Sequence, residues 1–291
     1  MKPAQFEYDD PRTLEDALDL LARHGDECKV LAGGQSLVPL MNFRLSRPAR
    51  LIDINGVDSL AHISRADGHL VIGAMTRHTQ VEHSAQVAEG WPLLTEAIGW
   101  VGHSQIRNRG TIGGSVAHAD PAAELPAALA ALDATFELRS KRGARVLSWN
   151  DFFVSEFTTA VAPDELVMAV HVPALDPSTG TAFVEYARRH GDFALGGAAV
   201  TLKLGRDGRI ERVTIALLSA GPAPVRAEAA EGLLRGSKLE EASIRAASAA
   251  AVKGLHPTSD IHGSTDYRTA LLQTMTERAL TKAAARAGGG R

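Results

Sequence analysis

The sequence predicts an α+β fold in two successive domains. Three observations carry that reading. Short apolar runs flank the turn pairs Asp67-Gly68, Arg142-Gly143 and Asp207-Gly208, which read as antiparallel hairpins. Helical stripes then follow the last hairpin as a block, a sheet followed by helices. Between these regions lies a turn-rich stretch, residues 175–180, holding Asp176-Pro177 and Thr179-Gly180, and it is the best domain boundary.

Taken in order, Thr13 precedes Leu14, Ala17, Leu18 and Leu21, one face of a helix, with Glu15 and Asp16 in its first turn and Gly25 past its end. Residues 29–32 are a short strand stopped by Gly33-Gly34. Residues 37–45 can be helical with Pro39 near the start, and 51–54 form a strand ended by Asn55-Gly56. The first hairpin pairs 60–64 with 69–74. Helices are expected at 79–86 and 91–101, the second with Pro92 in its first turn. Residues 102–118 carry four glycines and no sustained period. An alanine-rich helix over 121–132 leads to a second hairpin, 135–138 with 145–147, and to a strand at 166–172 stopped by Pro173. Beyond the boundary, 198–204 and 209–219 form the third hairpin. Helices come next at 227–234, 239–252 and 267–285, and residues 287–291 read as a disordered tail.

Composition narrows the function. The chain has 291 residues, 45% of them hydrophobic, enough for about two domains with substantial cores. A net charge of -3 with interspersed signs offers no basic footprint for nucleic acid. No apolar run approaches a membrane span, and the polar N-terminus lacks the pattern of a signal peptide. Cys28 is the single cysteine, which excludes a disulfide framework, a cysteine-ligated zinc and a self-contained iron–sulfur cluster, and favours a reducing cytoplasm.

Two segments carry the chemistry. In Ala32-Gly33-Gly34-Gln35-Ser36 and Thr111-Ile112-Gly113-Gly114-Ser115, an apolar stretch ends in two glycines followed by a small polar residue or glutamine. Glycine permits positive φ, lets another molecule approach the backbone and exposes successive N–H donors. Ser36 and Ser115 add hydroxyls, and Gln35 reaches far enough for a phosphate or ribose. Two such loops converging would cradle a diphosphate with backbone dipoles. Neither has the GK[ST] element of a Walker loop nor a complete G-x-G-x-x-G fingerprint. Taken singly, a strand-ending Gly-Gly is more often a tight turn than a ligand site.

Their flanks make the signal specific. VLAGGQSLVPLMNFRL, IRNRGTIGGSVAHADPAAELPAAL and RRHGDFALGGAAV occur in this order. They resemble the two flavin loops and the start of the C-terminal domain in the FAD-binding subunits of the xanthine dehydrogenase and carbon monoxide dehydrogenase family. The resemblance covers nearly the whole chain. It implies a two-subdomain FAD-binding fold of the vanillyl-alcohol-oxidase/PCMH type over 1–175 (subdomains about 1–56 and 57–175), then a smaller α+β domain over 176–286. It also implies non-covalent FAD, its pyrophosphate held by Ala32 to Ser36 and by Thr111 to Ser115, with Leu31 also in the cofactor site. By position, Glu124 stands near the adenosine ribose, Asp120 matches the HADP element, Val101 and Leu166 line the flavin, and Phe193 falls where relatives place an aromatic ring near the isoalloxazine. Where animal xanthine oxidase relatives have a lysine, this chain has Val184. The family further implies a large molybdopterin subunit and a small 2Fe–2S subunit as partners in a dimer of heterotrimers, with electrons passing through FAD to an external acceptor.

Blander readings stand beside these. Arg107 and Arg109 either face phosphate or are solvated. Phe193 serves flavin contact or packing. Asp120 also suits a helix cap, with Glu124 decorating the same first turn. His78, His103 and His118 have no ligand spacing, and Trp91 and Trp100 suit the core. No catalytic triad or carboxylate pair stands out. A stand-alone flavin oxidoreductase of the same wider fold, or a scaffold that has lost FAD, remains open beside the electron-transfer subunit.

Overall fold

A computed structural model describes residues 1–288. Its strands form three main sheets. The first is parallel, with Arg50–Asp53 between Glu7–Asp9 and Cys28–Leu31. The second is antiparallel, in the order Ile63–Ala66, His69–Gly73, Leu166–Val172, Thr135–Ser140, Gly143–Ser148. The third, also antiparallel, runs Gly180–Tyr186, Gly196–Leu204, Ile210–Leu218, Val225–Arg226. All three expected hairpins are present.

The third sheet explains how the C-terminal part is attached. Side chains alternate across its faces. Ala182, Val184, Ala198 and Val200 share a core with the helix Thr265–Gly288. Phe183, Ala199, Ala216 and Leu218 instead join the main core. Between the sheets lies the helix Glu124–Ala131, every residue of which is buried. Its alanines let strands Gly196–Leu204 and Ile210–Leu218 of the third sheet and the helix Pro92–Trp100 pack closely on it, so its composition follows from its position. Gly180 opens the third sheet beneath the long helix: a Cβ there would lie 1.9 Å from the Ala283 carbonyl oxygen.

The N-terminal helix Leu14–His24 is capped as expected, Thr13 Oγ1 accepting from the Asp16 N–H. Elsewhere local chemistry redraws the outline. Residues 79–86 are two short helices, His78–Glu82 and Ala85–Gly90, because Ser84 accepts from the Val87 N–H and starts a new one. The glycine-rich stretch 102–118 is largely helical, as Ser104–Arg107 and Ile112–His118. Low glycine propensity masks the second of these helices in the sequence, and the first is a single turn too short to show a period. The alanine-rich helix begins at Glu124, so Asp120 is not its cap. Asp120 Oδ1 instead accepts from the Ala122 N–H in a turn before the helix. Strand Gly180–Tyr186 has no sequence alternation because both faces are covered, and sequence reasoning misses it. The last helix continues through Gly288, two residues into the expected tail; the rest of that tail lies outside the described residues. Among the described residues no helix is long and apolar enough to cross a membrane.

Candidate functional site

Strands Cys28–Leu31 and Arg50–Asp53 run parallel and end together. The segments leaving them, Ala32–Ser36 from one strand and Asn55 from the other, therefore meet at the carboxyl edge of the small sheet. Such edges are where open parallel sheets take ligands. A cavity of about 340 Å³ opens there, lined by Gly33, Gly34, Gln35, Val38, Asp53 and Arg109 among others. Gly34 has φ +73°, which only glycine adopts without strain. None of the backbone N–H groups of Gly33, Gly34, Gln35 and Ser36 has an acceptor among the described residues. Four successive free donors at the edge of a cavity make an anion cradle. Ser36 begins the helix Leu37–Asn42 without capping it, which leaves its hydroxyl available. Gln35 turns back onto its own loop, Nε2 donating to the Gly33 carbonyl at 3.0 Å.

The second glycine pair is built differently. Thr111 caps the helix Ile112–His118, its hydroxyl accepting from the Gly114 N–H at 3.0 Å. Ile112 donates to the Thr76 carbonyl, Gly113 to that of Ala74 and Ser115 to that of Thr111. Its first four N–H groups are therefore engaged within the protein. Gly113 is required by the close approach of Ala74, whose Cβ would lie 2.5 Å from an added one.

The fold brings the two segments together. A Cβ on Gly33 would lie 2.4 Å from the Arg109 carbonyl oxygen and 2.8 Å from Gly110 Cα, and one on Gly114 would lie 3.8 Å from that of Ala32. A polar clamp holds the contact. Asn55 Nδ2 donates to the Ala32 carbonyl at 2.9 Å, and Arg77 donates to Asn55 Oδ1 and to the Arg109 carbonyl, both at 2.5 Å. Asp53 orders Asn55 and accepts from the Tyr8 hydroxyl at 2.6 Å. Burial works to raise the Asp53 pKa, but these hydrogen bonds prevail and hold it below the usual range. Sequence reasoning misses Asn55, Arg77 and Asp53. The only signal was Asn55-Gly56, read as the end of a strand.

His78 lies behind the second segment. Burial pushes its pKa down to about 4, so the ring is neutral near pH 7, and Nε2 lies 3.0 Å from the Thr111 carbonyl, to which it donates. Arg107 is committed to the protein: it pairs with Glu82 at 2.8 Å and donates to the Val101 carbonyl. Trp91 is buried with its Nε1 on the Pro173 carbonyl.

Of the other expected site residues, Val101, Phe193 and Glu124 lie at the seam between the sheets and Leu166 lies apart from it. Val101 is half-buried at the end of the helix Pro92–Trp100. The turn carrying Phe193 rests on the next residues: His190 stacks 6.0 Å from His103 and 5.4 Å from Trp100, and Gly191 packs against Gly102 and His103. Phe193 itself is 63% exposed, so it does not pack into the core. Leu166 is buried in the core of the N-terminal sheet. Glu124 is buried, which raises its pKa to about 7 with help from Asp120. Across the seam Glu185, unmarked in the sequence, is buried with both oxygens unbonded; burial, then the charge of Glu124, pushes its pKa to about 9. No group of three or more metal-ligating side chains able to hold a metal occurs among the described residues.

An anion cradle at a sheet edge, clamped to a capped glycine helix, defines a nucleotide-binding protein of the α+β class. Residues 4–175 match the FAD binding domain in molybdopterin dehydrogenase, and residues 181–283 match the CO dehydrogenase flavoprotein C-terminal domain. The chain belongs to this family of FAD-binding oxidoreductase subunits. It is 48% identical to the 6-hydroxypseudooxynicotine dehydrogenase complex subunit alpha of Paenarthrobacter nicotinovorans, over 99% of this chain and 97% of that protein. It is 40% identical to the nicotine 6-hydroxylase medium subunit of the same organism, over 98% and 100%. The structure superposes on carbon monoxide dehydrogenase from Hydrogenophaga pseudoflava with a TM-score of 0.96 at 38% identity, covering 98% of this chain and 99% of that one.

Proposed function

We propose that this chain is the electron-transfer subunit of a molybdenum hydroxylase, accepting electrons from the 2Fe–2S clusters of a small partner subunit and passing them to an external acceptor. A large subunit would carry the molybdopterin cofactor and choose the substrate. The observation that carries this reading is the row of four free N–H donors at the cavity edge. They fit a diphosphate, and the one carboxylate lining the cavity among the described residues, Asp53, is already bonded to Tyr8 and Asn55. FAD supplies the one- and two-electron chemistry when bound; the protein binds and orients it and excludes water. Leu31 to Ser36 would hold the diphosphate, with Thr111 to Ser115 shaping the opposite wall. Glu124, with Asp120 in the turn before it, would meet the ribose. Val101 and Phe193, at the seam, would face the flavin ring, and Leu166 would back it from the core. The division at 175/176 separates the cradle from the domain that bears Phe193. The relatives' designations as medium or alpha subunits support a multi-subunit assembly, and the lone cysteine supports a reducing cytoplasm.

Purification of the chain with its co-expressed partners tests this. The expected preparation is coloured, with flavin bands, iron and molybdenum. A flavin-containing chain that never associates with iron or molybdenum would instead be a stand-alone oxidoreductase. A colourless chain indifferent to added FAD would overturn the flavoprotein reading altogether.

A further inference from the structure

Two arginines two residues apart, Arg107 and Arg109, precede the second glycine pair, and the structure gives them opposite surroundings. Arg107 is half-buried and neutralised by Glu82. Arg109 lines the cavity, and its guanidinium makes no hydrogen bond or ion pair among the described residues. Its backbone, by contrast, is fixed: the N–H donates to the Ile106 carbonyl at 3.1 Å, and the carbonyl accepts from Arg77 and packs on Gly33.

The electrostatics around it favour an anion. Arg77 is held by two neutral oxygens rather than by a carboxylate, so its charge is not cancelled in contact. Burial lowers the Arg77 pKa, and the repulsion of Arg109 lowers it further, so the two cations feel each other. Among the described residues Asp53 is the one carboxylate lining the cavity, and its oxygens are already bonded to Tyr8 and Asn55. Two guanidinium groups against one carboxylate, beside four free N–H donors, leave a positive field suited to a multiply charged anion.

We propose that Arg109 is the side chain that binds the diphosphate of the flavin dinucleotide, with Arg77 and Gly33 fixing the backbone from which it reaches. The inference rests on the FAD reading above and separates the two arginines that the sequence offers alike as phosphate contacts, giving the cradle its charge from Arg109. Alanine at position 109 leaves the carbonyl contacts to Arg77 and Gly33 intact, so the side chain can be tested separately from the loop.

The experiment measures FAD affinity of the full chain by flavin fluorescence across a range of salt concentrations, for wild type, Arg109→Ala and Arg109→Lys. Arg109→Ala is expected to weaken FAD about ten- to hundredfold at low salt, the range of a charge-assisted hydrogen bond. It should also flatten the salt dependence, because one fewer phosphate contact is screened. Arg109→Lys should keep the salt dependence and part of the affinity, as a point charge without the fork. Unchanged affinity in Arg109→Ala would overturn the proposal, and so would a loss with the salt dependence intact, which would mark a purely structural role. A wild-type chain that binds no FAD would overturn the flavoprotein reading, and this proposal with it; an Arg109→Ala chain that binds it normally overturns only the proposal.

Discussion

The two glycine pairs look alike in sequence and differ in what the fold does with their backbones. At Gly33-Gly34 the donors are free and face a cavity. At Gly113-Gly114 they are tied to Thr76, Ala74 and the Thr111 hydroxyl at the start of a helix. The first pair presents dipoles; the second presents shape, a helix start without side chains pressed against Ala32 and Ala74. A repeated motif is therefore no evidence of a repeated role. Glycine is required at 33 by the Arg109 carbonyl and at 113 by Ala74, both of them protein neighbours rather than ligand.

The largest test of the contrast is Gly33→Val. Its side chain would have to displace the backbone at Arg109 and Gly110, so the two segments would part. We expect complete loss of FAD retention together with about 1–3 kcal/mol of destabilisation, read by flavin content and denaturant unfolding. Full FAD content in this variant would break the assignment of the first segment.

Acid should separate the segments next. His78 supports the second segment as a neutral ring, with its folded pKa near 4 against 6.5 unfolded. Below its unfolded pKa the unfolded chain binds the extra proton. The stability due to neutral His78 is thus complete above pH 6.5 and lost as pH falls towards 4. The slope is at most about 1.4 kcal/mol per pH unit and the total at most about 3 kcal/mol. His78→Asn should flatten this part of the pH profile, an amide donor to Thr111 without a titrating ring. An unaltered profile would show that the ring does not carry the acid sensitivity. Asp53, beneath the first segment, has a pKa below the usual carboxylate range, so that side weakens only at lower pH.

How much of this was legible depends on which forces were local. The capped first helix, the three hairpins and the strand leading into Gly33 were readable because caps, X-Gly turns and alternation act within a few residues. The helix at 112–118 was hidden by its glycines, and strand 180–186 by burial on both faces. Within the site, the glycine segments were visible. Asn55 and Arg77 were not, because a clamp between positions 22 and 23 residues apart leaves no periodic trace. Nor could sequence separate Arg107 from Arg109, since the distinction lies in Glu82, which is 25 residues from Arg107.

A smaller effect is expected from Thr111→Val, which removes the cap and frees the Gly114 N–H. Loss of the cap should lower stability by about 1 kcal/mol. If the second segment acts through shape alone, FAD affinity should fall no further than this loosening explains. A gain in affinity would show that the freed donor reaches the ligand and that the two segments can be made alike.

The smallest change in stability, and the sharpest test of the second segment, is Gly114→Ala. An added Cβ meets only the Thr111 hydroxyl oxygen, at 2.7 Å, and the distant Cβ of Ala32; otherwise it has open space. Alanine favours the helix by about 1 kcal/mol, and disturbing the cap costs about as much, so unfolding should hardly move. The methyl group nevertheless projects into the gap between the segments, where the proposed diphosphate would lie. Unchanged stability with reduced FAD affinity is the signature of a wall shaped to admit the ligand. Unchanged stability with unchanged affinity would confine the diphosphate to the first segment and leave the second as scaffold.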